Sequence, residues 1–510
     1  MEAIAPEAAV LEVDVHHHLR DLLRRGLLPP WPHHLTLARL VMRALRTGQG
    51  ALIQVEGHGW HQGHYRLAYL AAALLWPGPV VIVAPPAGRQ ILLHRDLPRL
   101  QAVFPVTKPI YCWEQGLRPA GDGIVCVSPQ DWLQDAQADS PQLAGRPVII
   151  EGADDLETWL QDTLTVTLHP QDWDALVWAV PDHAESIRHV QLGLEQALLS
   201  HPPNPLEAWQ LAEHEATLLQ HLRGLGPAGS PWAALEARLV DPDVCLWATL
   251  ERRTGAMTLR ATPLDLAAHW APRWPGQPLV LLGEALGLER DPNHLRQRLG
   301  LPPLTPVRFA AATPIDGLHL YLPDTVPSPN TPQFGAALRQ ELYRLLSLSW
   351  TGPVVLLVSD RPLQGQLAAS LAAEFGSRVQ REKTCLEENT ILVSSWAFWL
   401  AHHPVLTHPA LLVIPTLPLP TLEDPGVAAQ VVRLKRLRRD WFHQLLLPVA
   451  LQTLQRAVSP LRPHQGWVAL LDRRVLHRSY GTQVLATLEP LITTHRQLPQ
   501  EEMWDSHALS

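Results

Sequence analysis

The stretch Val55–Leu70, VEGHGWHQGHYRLAYL, spaces three glycines and three histidines between an apolar run (Ala51–Val55) and a helix-like run (Leu67–Leu75). A glycine loop joining a strand to a helix is where backbone N–H groups cradle phosphates. That chemistry also needs a lysine against the β- and γ-phosphates and a following hydroxyl for Mg²⁺. Aligned without gaps from Glu56, Gly63 falls on the lysine and His64 on the hydroxyl. Aligned on Gly63 as the loop glycine, His64 and Tyr65 take those places. The residues facing a nucleotide would be Gly59, Gly63, His64 and Tyr65, and neither register supplies the lysine. The whole chain has three: Lys108, Lys383 and Lys435. The histidines at 58, 61 and 64 suit a metal or an anion. The preferred reading, in a chain with 26 histidines, is a solvated glycine-spaced loop with no metal.

Two further clusters could do chemistry. Glu151, Asp154 and Asp155 follow the apolar run Pro147–Ile150. They form either an acidic metal site or a group at a helix N-terminus, favoured by the helix dipole. The segment RLKRLRRDWF (433–442) is the densest in cations: Arg433, Lys435, Arg436, Arg438 and Arg439. Clustered cations contact phosphates, and Trp441 and Phe442 beside them could stack on bases. A solvated helix face with packed aromatics is the competing reading.

The elements that would hold these residues repeat in two halves. Apolar runs at 51–55, 80–84, 124–127 and 147–150 alternate with helical stretches, as do 354–358, 390–394, 411–415 and 467–471. Such alternation predicts parallel sheets with crossover helices. Residues 10–47 read as helices. Long amphipathic stretches between about 165 and 260 predict a mostly helical insertion, and the proline-rich segment 301–314 predicts a linker. The expected division is a first α/β domain over 1–165 and 260–300, an insertion over 166–259 and a second α/β domain over 305–510.

The 510 residues are 46% hydrophobic and 18% charged, with a net charge of −8. This is a globular composition, and it excludes a generally basic nucleic-acid-coating protein. The four cysteines lack CxxC spacing and point to a reducing compartment without structural disulfides or zinc. Residues 1–15 carry acids where a signal peptide has a basic region, and no apolar run reaches the ~20 residues of a membrane span. A cytoplasmic location without membrane contact is expected.

Read in order, the landmarks resemble the DinG/XPD branch of superfamily 2 DNA helicases over roughly residues 30–495. RQILLHRDLPRL (89–100) resembles the end of motif Ia, and VIIEGADDLE (148–157) stands where the DEAH box falls. GEAL (283–286) stands in for SATL of motif III, and VLLVSDRPLQGQLAASL (355–371) resembles motif IV. LLLPVALQTLQRAVSPLR (445–462) matches the helix ending in motif VI. WVALLDRRVLHRSYG (467–481) matches the strand and Leu-Asp-x-Arg that follow. The resemblance implies two RecA-like P-loop-type α/β domains, ATP and Mg²⁺ as cofactors, and single-stranded or duplex DNA as partner. It carries Glu151, Gln455 and Arg462 over as surviving catalytic positions, Arg462 being a nucleotide contact or an inter-domain salt bridge.

The departures from the family fall on the chemistry. Gly152 replaces the DEAH glutamate, and Val458 and Ser459 replace the Gly-Arg of motif VI. Leu400, Ala401 and His403 replace the Glu, Gly and Asp of motif V. Cys112 and Cys126 are two where an iron–sulfur cluster needs four. The expectation is therefore a helicase homologue with ATP hydrolysis lost, ATP and Mg²⁺ unbound and no iron–sulfur cluster, binding nucleic acid or a protein. The alternatives are an active helicase with a divergent P-loop and a protein-interaction scaffold.

Overall fold

A computed structural model describes residues 6–497 except 105, 107, 114–120, 122, 139, 252, 275 and 312–314; the ends of the outer expected domains, at 1–5 and 498–510, lie outside the described residues. The apolar runs form two seven-stranded sheets. The first has the order Leu304–Phe309, Gly50–Val55, Leu279–Gly283, Val148–Glu151, Val80–Val83, Ile124–Val127, Ile110–Cys112. All its pairs are parallel. The second runs Val379–Arg381, Ile391–Ser394, Val354–Leu357, Leu411–Ile414, Trp467–Leu470, Leu318–Tyr321, Leu491–His495, again all parallel. The central strands read as unbroken apolar runs because helices cover both faces, leaving no face for polar residues. Separate apolar cores accordingly lie on the two sides of each sheet. This is the α/β fold of two RecA-like domains.

The helix His64–Leu75 is buried almost all round, pressed between the first sheet and the helices Pro6–Arg24 and His34–Thr47. Its alanines at 68, 71, 72 and 73 let these layers approach closely.

One expectation needs an addition and another a correction. The segment between the first sheet's halves is a helical insertion that also holds a sheet. Besides the helices Pro170–Ala179, Ala184–Ser200, Glu213–Gln220 and Pro231–Leu239, it contains a four-stranded antiparallel sheet, Val166–Leu168, Ala256–Pro263, Val244–Glu251, Ala208–Gln210. One face of this sheet packs on Trp173 and Trp232 and the other is half-exposed, so its strands alternate where the core strands do not. The proline-rich segment also contains a strand: Leu304–Phe309 pairs along the whole of Gly50–Val55. Pro306 is tolerated there because the strand lies at the sheet edge. The first sheet thus extends to Phe309, and the second begins at Leu318.

Among the described residues no helix is long and apolar enough to cross a membrane.

Candidate functional site

The loop after Gly50–Val55 and the carboxylate after Val148–Ile150 meet at the carboxyl ends of the first sheet's strands, facing the second domain. The loop is not an open cradle. His58–His61 forms a helical turn, and Gly63 in the left-handed region (φ 70°) starts the helix His64–Leu75. Gly59 lies against Trp31, where a Cβ would come 2.5 Å from the indole nitrogen. His64 is buried beside the rings of His34 and His58. Burial and these neighbours lower its pKa to about 4, so it is neutral at pH 7. Among the described residues no group of three metal-ligating side chains converges.

Glu151 is buried, and its carboxylate is taken up by the first domain itself. Oε1 accepts from the Tyr65 hydroxyl at 2.7 Å and from Arg66 Nε at 2.7 Å, and Oε2 accepts from the Tyr69 hydroxyl at 2.5 Å. Residues 65, 66 and 69 share one side of the first turns of their helix, which aims all three donors at one acceptor. Burial raises both tyrosine pKa values well above the ordinary value, so both stay protonated donors. Arg66 is held charged by Glu151 despite its own burial. Its guanidinium folds back over the loop end, beside Gly63.

Gly57 (φ 60°) is covered by Asp316, from the segment joining the two sheets. A Cβ on Gly57 would meet the Asp316 carboxylate at 2.4 Å, and Asp316 Oδ1 accepts the His58 amide at 2.7 Å. These positions do not fit Mg·ATP: the carboxylate oxygens of Glu151 already hold three donors, and a carboxylate stands at the first glycine, where a phosphate would be repelled.

The second domain closes directly on this surface. Arg456 makes a two-pronged pair with Asp155 at 2.6 and 2.9 Å, and Gln452 donates to the Asp154 carbonyl at 3.1 Å. Asp154 in turn accepts the amides of Glu284 and Ala285. Ser459, in the arginine place of motif VI, donates to the buried Glu284, and His61 Nε2 lies 2.6 Å from the Ser459 hydroxyl. Because the serine proton goes to Glu284, His61 is the donor in that last contact. Burial pushes Glu284 up to about 8 and His61 down to about 3, so this junction is uncharged at neutral pH. Gln455 reaches the Glu284 carbonyl at 3.4 Å. Arg462 is buried and donates to the carbonyls of Asp316, Leu488 and Glu489. Between Gly57, Glu284, Gln455, Ser459 and Arg462 a cavity of about 20 Å³ remains, room for about one water molecule.

The cationic segment is divided. Helix Pro425–Arg436 packs on the antiparallel sheet of the insertion. Arg433 is committed to Asp243 and Asp265 at 3.2 and 2.5 Å, and Arg436 lies 3.6 Å from Asp243. Lys435 sits over the Trp441 ring at 5.4 Å. Arg438 and Arg439 lie beyond the helix end and are exposed.

Reading by motif passed over Arg66, Tyr69, Glu284, Asp316 and Arg456. Arg66 and Arg456 carried a signal, being cations next to family motif positions. Asp316 carried none, since nothing in a linker marks which residue will fold onto a loop 258 positions earlier.

No family model matches the chain. Over 251 residues it is 24% identical to the ATP-dependent DNA helicase YoaA of Escherichia coli K12, a match covering 46% of this chain and 39% of that protein. The matched stretch is thus well under half of YoaA. Among solved structures, an XPD helicase superposes with a TM-score of 0.62 at 11% identity, covering 92% of this chain and all of that one. Xpd4 of S. tokodaii gives 0.60 at 13% identity, covering 91% and all of it. The chain therefore has the fold of the XPD helicases and, over 251 residues, resembles a DNA helicase in sequence.

Proposed function

We propose that this chain is a helicase-derived nucleic-acid-binding protein that neither binds nor hydrolyses ATP. The observation carrying this reading is Glu151, which in place of a metal holds Tyr65, Arg66 and Tyr69. Arg66 supplies at that point the positive charge that Mg²⁺ would bring. Water activation has no carboxylate at position 152, and the arginine place of motif VI is a serine that bonds Glu284.

Binding rests on the exposed cations Lys435, Arg438 and Arg439, since Arg433 is already neutralised by two aspartates. On a single strand each phosphate contact contributes about 0.7 to the salt slope of binding. Reversing Lys435, Arg438 and Arg439 to glutamate is expected to weaken binding of a single-stranded oligonucleotide by at least about tenfold at low salt and to flatten the slope by about 2. Fluorescence anisotropy between 50 and 200 mM salt would measure this. Equal affinity of wild type and variant would remove the patch from the account.

A second reading, a protein-binding scaffold, is favoured by Trp178 on the insertion. It is 84% exposed, and exposed tryptophans concentrate at protein interfaces. Under that reading the oligonucleotide does not bind at all.

A further inference from the structure

The two domains meet through direct contacts between their own residues. On the loop side, Asp316 lies over Gly57 and takes the His58 amide. Its own carbonyl is held by Arg462, whose other nitrogen is fixed to Leu488 and Glu489 in the second domain. On the sheet side, Arg66 occupies Glu151, while Arg456, Gln452 and Ser459 bind Asp155, Asp154 and Glu284 across the cleft. An anionic side chain fills the loop end and a cationic one fills the carboxylate end.

We infer that the chain carries its own substitutes for a nucleotide, Asp316 at the loop and Arg66 at Glu151, and that Asp316 holds its two domains permanently closed. This rests on the reading that the cleft takes no ATP, and deepens it by naming what fills the cleft and what that does. Asp316 is the latch. It is the one side chain here that touches the first domain's loop while its backbone is anchored by the second domain's Arg462. A charged acceptor on a backbone N–H is among the stronger hydrogen bonds. It is not offset by water in this closed cleft, where Asp316 is 5% exposed.

The test is hydrogen exchange, followed by mass spectrometry, on the full chain without nucleotide and with a non-hydrolysable Mg·ATP analogue. Wild type should show slow exchange in the peptide spanning residues 56–63 under both conditions. Asp316→Ala should speed exchange there by about ten- to a hundredfold, while peptides from the central strands Leu279–Gly283 and Leu411–Ile414 stay protected, showing that the fold is intact. Asp316→Asn, which keeps an acceptor oxygen without the charge, should fall between the two and serves if the alanine variant does not fold. Equal exchange in wild type and both variants would overturn the inference, whatever the analogue does. Added protection of the wild type by the analogue alone, with the variants still fast, would overturn the ATP-free reading and leave the Asp316 latch standing.

Discussion

Replacing Arg66 by alanine is expected to lower the unfolding free energy by about 3–5 kcal/mol, the range for breaking a buried ion pair from one side. Glu151 is 3% exposed and would keep only the two tyrosine hydroxyls as partners. The cost is mostly that of a charge left in a medium that cannot solvate it, and little of it is the worth of the lost bond. Arg66→Lys should recover only part of it, because the planar nitrogen that bonds Glu151 is replaced by a compact ammonium with different reach. Removing both partners, as Arg66→Met with Glu151→Leu, should cost clearly less than the two single changes summed. Urea denaturation of Arg66→Ala, Arg66→Lys, the double variant and its two single changes measures this. A cost below about 1 kcal/mol for Arg66→Ala, in the range of an exposed pair, would mean that Arg66 does not replace a metal at Glu151.

Stability should pass through a maximum near pH 6.5, with opposite causes on the two sides. His61 is lowered to about 3, and His64 and His403 to about 4, chiefly by burial. Below their ordinary 6.5 the unfolded chain takes up protons that the folded chain refuses, so stability falls as pH drops. Glu284 is raised by burial from 4.5 to about 8. Between those values the folded chain holds a proton that the unfolded chain has lost, so stability falls as pH rises. From 4.5 to 6.5 the three histidines outweigh the one carboxyl; towards pH 8 the histidine contribution fades and the carboxyl dominates. Glu284 alone contributes a loss of roughly 2 kcal/mol from pH 6.5 to 8, at about 1.4 kcal/mol per proton and pH unit, and the last deprotonation of the unfolded-state histidines offsets part of it. Glu284→Gln keeps an acceptor for Ser459 and should flatten that alkaline decline. An unchanged decline in the variant would mean that the buried junction does not titrate as described.

Much of the fold was legible because a doubly covered parallel sheet writes itself as short unbroken apolar runs, and VVIV, VIIE and LLVI have no other use. The insertion's sheet was not. Its strands are half-exposed, and the strong 3.6-residue periodicity of Ala184–Ser200 dominates the stretch around them. Leu304–Phe309 hid behind Pro306, which signals a linker unless the strand is known to lie at an edge. At the site, the absence of a lysine from the loop and the glycine at position 152 could be read from residue types alone. What took their place could not. Arg66 looks like any surface arginine of a helix until the helix is docked against Glu151, and Ser459 becomes informative only when Glu284 is seen opposite it.

The most direct test of the central claim is calorimetry of Mg·ATP and Mg·ADP against the purified chain, without and then with single-stranded DNA. The account predicts no binding heat for either nucleotide in either condition, because Asp316 and Arg66 already occupy the two ends of the cleft. Saturable micromolar binding of Mg·ATP would contradict it, and would mean that Asp316 and Arg66 leave their partners when a nucleotide enters.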